Sequence, residues 1–398
     1  KEREKAEELI AYLKEEPPLE AKVLSKEKKK ETKNPPLLYN LAELQNDCSK
    51  MFKISPDETL KVVQELYEKK LVTYPRTDAR VLSTAVAKEI YKNINGLMRY
   101  EPMAGFAKEA MNLGSFKGIA KTRYVNDKQI TDHYAIIPTG QGMGNLRGLS
   151  PLSEKVYQVV CRRFLSIFYP AAIYQKYSLV LERKKEQFFA SFKVLSEPGY
   201  LKVADVNLAK KSSIQETFSD EKEGNSAQTD EKNAEIPKVD RTLLLQVLAD
   251  LKKNAILTIA DLKVKEGETS PPKRYTSGSM ILAMENAGQL IEDEELRAQI
   301  KGSGIGTSAT RAEILKKLCT IKYLSLAKKT QVITPTLLGE MVFDVCSASI
   351  RQLLNPELTA SWEKGLTYVA EGTITPAEYM EKLERFVTLR TNGVRQTD

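Results

Sequence analysis

The spacing of apolar residues changes twice along the 398 residues of this chain. Up to about residue 170 the apolar residues recur three or four positions apart, as on the buried face of a helix. From about Tyr174 to Val203 they alternate with polar residues, and β-branched and aromatic residues are frequent, which indicates strands. Beyond about residue 262 the helical spacing returns. The sequence therefore predicts a multidomain α and β protein in which a strand-rich part lies between two helical parts.

Two helix starts precede the segment with the strongest chemical pattern. Asn40 is followed three residues later by Glu43, a spacing that predicts an N-cap and its partner. Ser55 and Pro56 form a second start, with proline at the first helical position. The second helix is predicted to bury a stripe made of Leu60, Val63, Leu66 and Tyr67. It then leads directly into an extended stretch.

The composition is that of a basic, soluble protein. The formal net charge is +8 at pH 7 and the pI is about 9.0, which favours a polyanionic partner. No apolar run approaches the roughly 20 residues that cross a bilayer, so no membrane partner is expected. The 4 cysteines lie far apart, and we interpret them as reduced core thiols of a cytosolic protein and not as a zinc site.

A tyrosine and an arginine lie on either side of a proline in residues 71–82, which read LVTYPRTDARVL. Pro75 fixes its own φ and favours an extended conformation for Tyr74. Side chains two positions apart in an extended chain point to the same side, so Tyr74 and Arg76 can face one phosphate together. A phenol with a pKa of about 10 is a weak nucleophile at neutral pH, and a fixed guanidinium would stabilise its phenolate. Taken alone, the pattern also fits a surface tyrosine in a turn after a helix.

The same stretch closely resembles the active-site signature of type IA DNA topoisomerases, especially their topoisomerase III branch. Seven further segments resemble the family in the expected order: PPLLYNLAELQ (35–45), DHYAIIPT (132–139), RRFLSIFYPAA (162–172), PPKRYTSGSMILAMENAG (271–288), GSGIGTSATRAEIL (302–315), TPTLLGE (334–340) and LTASWEKGL (358–366). The resemblance implies cleavage of one DNA strand through a 5′-phosphotyrosine, passage of another strand and religation. The phosphotyrosine conserves the energy of the broken bond, so no ATP is required. The absence of a Walker-type G-x-x-x-x-G-K motif agrees with this.

The resemblance also implies a domain order like that of the type IA toroid. The expected parts are a first piece of a β-rich arch (1–34), a helical domain with the active-site tyrosine (35–170), the rest of the arch (171–262) and a helical base domain (263–398). Residues 210–237 are rich in polar and charged residues and predict a mobile insertion in the arch. No Asp-x-Asp motif occurs in the sequence, so the family's metal-binding Toprim domain is expected to be missing.

The resemblance assigns roles to individual residues. Tyr74 would be the nucleophile, Arg76 would stabilise its charge, and His133, the only histidine, would contact DNA phosphate near the tyrosine. Thr307 or Ser308 can cap a helix opened by a glycine-rich turn, a site suited to phosphate. Mg²⁺ is implied for the full-length protein, with its ligands in the Toprim domain, and no metal is predicted in this chain. Five further residues are predicted to bind DNA: Asp78, Arg80, Arg274, Thr310 and Arg311.

We therefore expect a monomeric topoisomerase core that binds single-stranded DNA, associates with the nucleoid in the cytoplasm and is inactive without the Toprim domain. The sequence does not identify its protein partners. Two other classes stay open. A tyrosine recombinase also forms a phosphotyrosine, but it needs an arginine–histidine–arginine cluster ahead of the tyrosine, and here Tyr74 precedes the only histidine. A non-catalytic single-stranded-DNA-binding protein could retain the fold, although the presence of both Tyr74 and Arg76 argues against such decay.

Overall fold

The chain forms two compact units, each built from two separate stretches of sequence. A computed structural model describes residues 2–204, 215–216, 241–290 and 304–395. One unit comprises Lys1–Pro36 and Ser166–Pro271, and the other comprises Leu37–Leu165 and Pro272–Asp398. The assignment of these stretches to an arch, a helical domain and a base domain stays a prediction. The predicted mobile insertion at 210–237 lies outside the described residues, apart from positions 215 and 216.

The described residues form the following regular elements. The α-helices are α1 (Glu2–Lys14), α2 (Leu41–Phe52), α3 (Pro56–Glu68), α4 (Thr84–Glu89), α5 (Tyr91–Leu97), α6 (Glu101–Leu113), α7 (Pro151–Ser166), α8 (Leu201–Ala204), α9 (Arg241–Asp250), α10 (Ser277–Glu285), α11 (Arg311–Thr320), α12 (Leu337–Ser349), α13 (Pro356–Ala370) and α14 (Pro376–Arg395). The strands are β1 (Glu20–Lys33), β2 (Ala172–Arg183), β3 (Glu186–Glu197), β4 (Gln215–Glu216), β5 (Ile256–Thr258), β6 (Leu324–Leu326) and β7 (Ile333–Pro335). Of the helices described, none combines the length and the apolar character needed to cross a bilayer.

The first unit is an antiparallel sheet with the strand order β4-β3-β2-β1-β5. Strands β2 and β3 form a hairpin whose two turn residues, Lys184 and Lys185, both have positive φ, as the tightest hairpin turns require. Tyr177 and Leu179 on β2 pack against Leu248 of α9. The lysine-rich stretch KEKKKETK (26–33) lies within β1. Strand β5 pairs only with the beginning of β1, so the rest of that edge of β1 is not covered by β5. The lysine charges along this edge discourage pairing with strands of other chains.

In the second unit, α2 and α3 begin where the sequence predicts. The Asn40 side chain accepts a hydrogen bond from the Glu43 backbone N–H at 2.9 Å. The Ser55 hydroxyl accepts one from the Glu58 N–H at 3.2 Å, and Pro56 occupies the first turn. Both N-caps are therefore confirmed. The predicted buried stripe of α3 is correct for its three aliphatic residues but wrong for Tyr67, which is 38% exposed.

Helices α2 and α10 pack at unusually short range. A Cβ atom built on Gly278 would lie 2.7 Å from the Asn46 Cα atom and 2.8 Å from the Ser49 Cβ atom, so only glycine fits there. The hydroxyls of Ser49 and Ser277 lie 3.2 Å apart in the same contact. An apolar cluster extends this packing to α11 and β7 through Ala42, Ile281, Leu315 and Ile333. This contact joins the sequence before α7 to the sequence after α9 within one unit.

The expectation that the chain is helical from about residue 262 onward is wrong in two places. Residues 259–275 contain no regular element, because this stretch is rich in charged residues and ends with Pro271 and Pro272 next to each other. Strands β6 and β7 form a short antiparallel pair between α11 and α12. The short apolar runs of these strands resemble helix turns when they are read from sequence alone.

The four cysteines are free thiols. Cys48 and Cys161 are buried, and burial raises the pKa of both thiols well above its usual range. Cys319 and Cys346 are only partly buried. The prediction of core thiols is thus correct for the first two and wrong for the other two, which lie on α11 and α12.

Candidate active site

The segment that carries Tyr74 is held by hydrogen bonds to two other stretches of the second unit. The three stretches are residues 37–40, 71–82 and 132–139. The Thr73 N–H donates to the Ile137 carbonyl at 3.0 Å, and the Ile136 N–H donates to the Tyr39 carbonyl at 2.8 Å. Three stretches that separately resemble one family in sequence are therefore neighbours in space. Their backbone pairing forms a fixed base for the tyrosine.

The end of α3 sets the direction in which this segment leaves the helix. Lys70 has a φ of 60°, a left-handed conformation that reverses the chain, and the Leu71 N–H donates back to the Leu66 carbonyl at 2.9 Å. The Thr139 hydroxyl donates to the Lys70 carbonyl at 2.6 Å and secures the turn. The predicted end of the helix is confirmed, but the stretch that follows, up to residue 80, contains one isolated bridge, from Val72 to Pro138, and is otherwise irregular. This arrangement places Tyr74 a few residues beyond a well-packed helix end.

The ring of Tyr74 lies between two other rings. The edge of Tyr67 meets it at a centroid distance of 5.5 Å and an interplanar angle of 84°. The imidazole of His133 lies 4.2 Å away at an angle of 39°. Tyr74 is half-buried and His133 is exposed. The structure thus brings the two residues together and keeps the phenol out of the apolar core.

Tyr74 and His133 line an open cleft of about 690 Å³. Several of its other residues were not predicted from the sequence. They include two aromatic side chains and two lysines, namely Tyr67, Tyr134, Lys70 and Lys92. Tyr67 could have been found, because a tyrosine beside the buried Leu66 points away from the core of α3. Nothing in the sequence indicates that Lys70 adopts a left-handed conformation.

Arg76 is exposed and is not among the residues that line this cleft. It lies beyond Pro75, and the backbone from 73 to 80 is irregular and not a strand. The prediction that Tyr74 and Arg76 face one phosphate therefore stays a prediction. The exposed guanidinium is open to a ligand from solvent, as such a role requires.

Asp78 forms an ion pair with Arg311, which is separated from it by 233 residues in sequence. The Asp78 Oδ1 atom accepts a hydrogen bond from the Arg311 Nη1 atom at 2.9 Å. The Arg311 Nε atom donates to the Ile305 carbonyl at 3.2 Å. The side chain of Arg311 is only 1% exposed, although this residue was predicted to contact DNA. Its guanidinium is directed into the protein.

Arg80 and Glu43 form a second ion pair nearby, with the Arg80 Nη1 atom 2.7 Å from the Glu43 Oε1 atom. Arg80 was also predicted to bind DNA, and it is partly buried in this pair. The Glu285 Oε1 atom accepts a hydrogen bond from the Asn40 amide at 2.6 Å. Burial raises the pKa of Glu285, the carboxylates of Asp78 and Glu43 raise it further, and Arg311 opposes them.

Thr310 and Arg274, also predicted to bind DNA, are exposed. Thr310 is the N-cap residue of α11, and its hydroxyl accepts a hydrogen bond from the Thr307 N–H at 2.8 Å. The prediction of Thr307 or Ser308 as the cap is therefore wrong, because the turn from 307 to 310 closes on itself before the helix begins. The first two residues of this motif, at positions 302 and 303, lie outside the described residues.

The described residues offer no fitting site for Mg²⁺. In this part of the chain no three histidine, cysteine, aspartate or glutamate side chains are grouped so that they could hold a metal ion. Of the two glutamates that line the cleft, Glu89 pairs with Lys92 at 2.9 Å, and Glu68 accepts a hydrogen bond from the Gln64 amide at 3.1 Å. No chemical step is therefore assigned to a metal held by these residues.

A family model described as DNA topoisomerase matches residues 1–381. The chain is similar to DNA topoisomerase 3 of Bacillus subtilis, with 33% identity over 357 residues, which cover 88% of this chain and 44% of that protein. It is similar to DNA topoisomerase 3 of Bacillus licheniformis, with 31% identity over 367 residues, which cover 91% and 45%. The chain spans about half the length of the curated relatives it matches.

The fold is similar to that of full-length topoisomerase I from Thermotoga maritima. The TM-score is 0.62 at 21% sequence identity, and the match covers 96% of this chain and 54% of that one. The predicted fold class, a multidomain α and β arrangement like that of a type IA topoisomerase, is confirmed by this likeness.

Proposed function

Because this chain belongs to the type IA DNA topoisomerase family, we propose that it is the part of such an enzyme that binds single-stranded DNA and carries the cleaving tyrosine. The observation that carries the proposal is the position of Tyr74. Its ring is held against His133 at the edge of an open cleft, on a segment fixed by backbone hydrogen bonds. A nucleophile must be both accessible and oriented, and this arrangement provides both conditions.

In the proposed reaction the Tyr74 oxygen attacks a DNA phosphorus atom. The phenol loses its proton, and its oxygen forms a phosphodiester bond to the 5′ phosphate. The bond between this phosphorus and the 3′ oxygen of the preceding nucleotide breaks, and that oxygen takes up a proton to become a 3′ hydroxyl. After another strand has passed, that hydroxyl attacks the ester, restores the phosphodiester and returns the tyrosine. Arg76 and His133 are the groups we assign to the charge on the phosphate. The bond energy is conserved throughout, so no ATP is required.

The proposal includes Mg²⁺, whose acidic ligands we place outside the described residues. The chain spans about half the length of its curated relatives, and we place the metal-binding Toprim domain in the other half. When bound, the metal would supply positive charge near the scissile phosphate. The proposal further includes action as a monomer, relaxation or decatenation of DNA, and association with the nucleoid in the cytoplasm.

Binding and cleavage are tested separately. The purified chain is titrated against a fluorescein-labelled single-stranded oligonucleotide, and binding is followed by fluorescence anisotropy. We expect it to bind, and we expect a supercoiled plasmid to stay unrelaxed. Relaxation by the chain alone would show that our view of the Toprim domain is wrong. Failure to bind any oligonucleotide would overturn the proposed function.

Cleavage is measured after the chain has been fused to the part of Bacillus subtilis DNA topoisomerase 3 in which we place the Toprim domain. The wild-type fusion should form a covalent adduct at a 5′ phosphate, detected by gel after denaturation. Tyr74→Phe should abolish the adduct and leave binding unchanged. An adduct that persists in this variant would mean that the nucleophile lies elsewhere. An adduct at a 3′ phosphate would favour a recombinase, and binding without any adduct would favour the non-catalytic alternative.

A further inference from the structure

Arg311 is the first residue of α11, and its side chain is buried. It is 1% exposed, and it shares the buried face of the helix with Ala312 and Leu315. An arginine is rarely buried to this degree unless its charge is paired and its N–H groups are bonded. Here Asp78 accepts from Nη1 and the Ile305 carbonyl accepts from Nε. Because the side chain is buried, the guanidinium would have to move outward and break these hydrogen bonds to reach a DNA phosphate.

Asp78 lies four residues after Tyr74, so the ion pair acts directly on the active-site segment. The backbone carbonyl of Asp78 also accepts a hydrogen bond from the Asn40 amide at 3.2 Å. Just before it, the buried Thr77 donates its hydroxyl proton to the His133 carbonyl at 2.9 Å. The segment that begins at Tyr74 is therefore fixed at its far end by contacts to three separate parts of the unit.

We propose that Arg311 is a positioning residue that holds the Tyr74 segment in place through Asp78 and does not itself contact DNA. The inference rests on the proposed function, because it assigns a role in the proposed cleavage. It reassigns Arg311, which the sequence pattern places among the DNA contacts. It also gives the glycine-rich turn before α11 a structural purpose, since Ile305 in that turn accepts the second hydrogen bond.

The dependence of DNA binding on salt distinguishes the two roles. An arginine that neutralises a phosphate releases a counterion, and its loss reduces the slope of log K against log salt by about 0.7 for a single strand. We expect Arg311→Met to leave this slope unchanged and to alter the Kd by less than about twofold, because no phosphate contact is lost. Arg274→Met, at an exposed arginine predicted to bind DNA, is the matched comparison. A smaller slope in Arg311→Met would overturn the proposal.

Cleavage by the fusion with the Toprim domain tests the positioning role. Asp78→Asn and Arg311→Met should each lower the yield of covalent adduct between about tenfold and hundredfold, because small displacements of a reacting group have effects of this size. The double variant should lose no more cleavage than the more impaired of the two single variants, because both changes remove the same interaction. Losses that multiply in the double variant, or unchanged cleavage in either single variant, would contradict the proposal.

Two features keep the result interpretable. Removal of one partner from a buried ion pair can prevent folding, so circular dichroism must show that Arg311→Met is folded. If it is not, Asp78→Asn carries the test, because the Asp78 side chain is 40% exposed and its amide analogue has nearly the same shape. The proposed function fails in a different way, since the wild-type chain itself would then not bind DNA.

Discussion

The phenol ring of Tyr74 and the imidazole of His133 lie 4.2 Å apart, with their planes tilted by 39°. Two threonines of the tyrosine segment hold the backbone around His133. Thr73 donates its hydroxyl proton to the Ala135 carbonyl at 3.0 Å, and Thr77 donates to the His133 carbonyl at 2.9 Å. These two hydrogen bonds fix the backbone of residues 133–135 relative to Tyr74. The backbone pairing thus places position 133 beside Tyr74, and the imidazole of His133 makes the ring contact.

His133→Phe separates the shape of the imidazole from its polar nitrogens. We expect His133→Phe and His133→Ala to lower the yield of covalent adduct in the Toprim fusion equally, by about 10²-fold, because a positioned acid, base or cation contributes at least this much. Gel analysis of the adduct provides the measurement, and anisotropy should show that both variants still bind DNA. If phenylalanine restores cleavage and alanine does not, the histidine acts only by packing against Tyr74.

Arg76→Ala should reduce cleavage more than binding. Arg76 is exposed next to the active-site segment, and a guanidinium aimed at developing negative charge is typically worth about 10²–10³ in rate. Arg76→Lys keeps the charge but loses the forked geometry, so it should recover only part of the cleavage. Adduct yield and oligonucleotide affinity are measured on the same preparations. Equal losses in the two quantities would make Arg76 a simple anchor for DNA.

Features that depend on neighbours in sequence could be predicted. The N-caps Asn40 and Ser55 were found because a cap and its partner lie within four residues. The strand-rich part from about Tyr174 to Val203 was likewise predicted, because apolar and polar residues alternate along β2 and β3. The pairing of Tyr74 with His133 could be expected only from the resemblance to a family, since no local pattern relates the two positions.

The ion pair of Asp78 and Arg311 could not be predicted, because its partners are separated by 233 residues. The glycine-rich turn before Arg311 suggested a ligand site, and an arginine there reads naturally as a phosphate contact. One signal was nevertheless present. Ala312 and Leu315 follow Arg311 at the spacing of a buried helix face, and an arginine on such a face needs a partner.

Gly278→Ala should destabilise the chain because α10 approaches α2 too closely for a methyl group. The new Cβ atom would lie 2.7 Å from the Asn46 Cα atom and 2.8 Å from the Ser49 Cβ atom. Overpacking of this kind costs about 1–3 kcal/mol. The matched control is Gly105→Ala on α6, where no atom lies within 4 Å of the new methyl group. Alanine is the better helix former, so the control should gain up to about 1 kcal/mol.

Thermal unfolding followed by circular dichroism measures both glycine variants. Both substitutions add one methyl group to a helix. Opposite changes in the free energy of unfolding would therefore reflect the different surroundings of the two positions. Equal stability of Gly278→Ala and Gly105→Ala would show that α2 and α10 can separate without cost. The contact of these two helices would then not be what joins the two halves of the unit.

Glu285 should make the stability of the chain depend on pH in a direction opposite to that of a typical carboxylate. Burial, together with Asp78 and Glu43, raises the pKa of Glu285 above its ordinary value of 4.5. The folded chain therefore holds a proton that the unfolded chain has already released. By linkage, this contribution to the free energy of unfolding is complete below pH 4.5 and is lost as the pH rises through the raised pKa.

Glu285→Gln removes this titration and keeps an oxygen that can accept the hydrogen bond from Asn40. Other carboxylates titrate in the same range, so the informative quantity is the free energy of unfolding of the variant minus that of the wild type. We expect this difference to rise as the pH increases from 4.5 toward neutrality and then to level off. Urea unfolding at a series of pH values provides the data. Glu8→Gln, at an exposed position on α1, is the comparison for the same chemical change at the surface. A flat curve for Glu285→Gln would mean that this carboxyl group titrates as it does in the unfolded chain, and that Arg311 balances both neighbouring carboxylates.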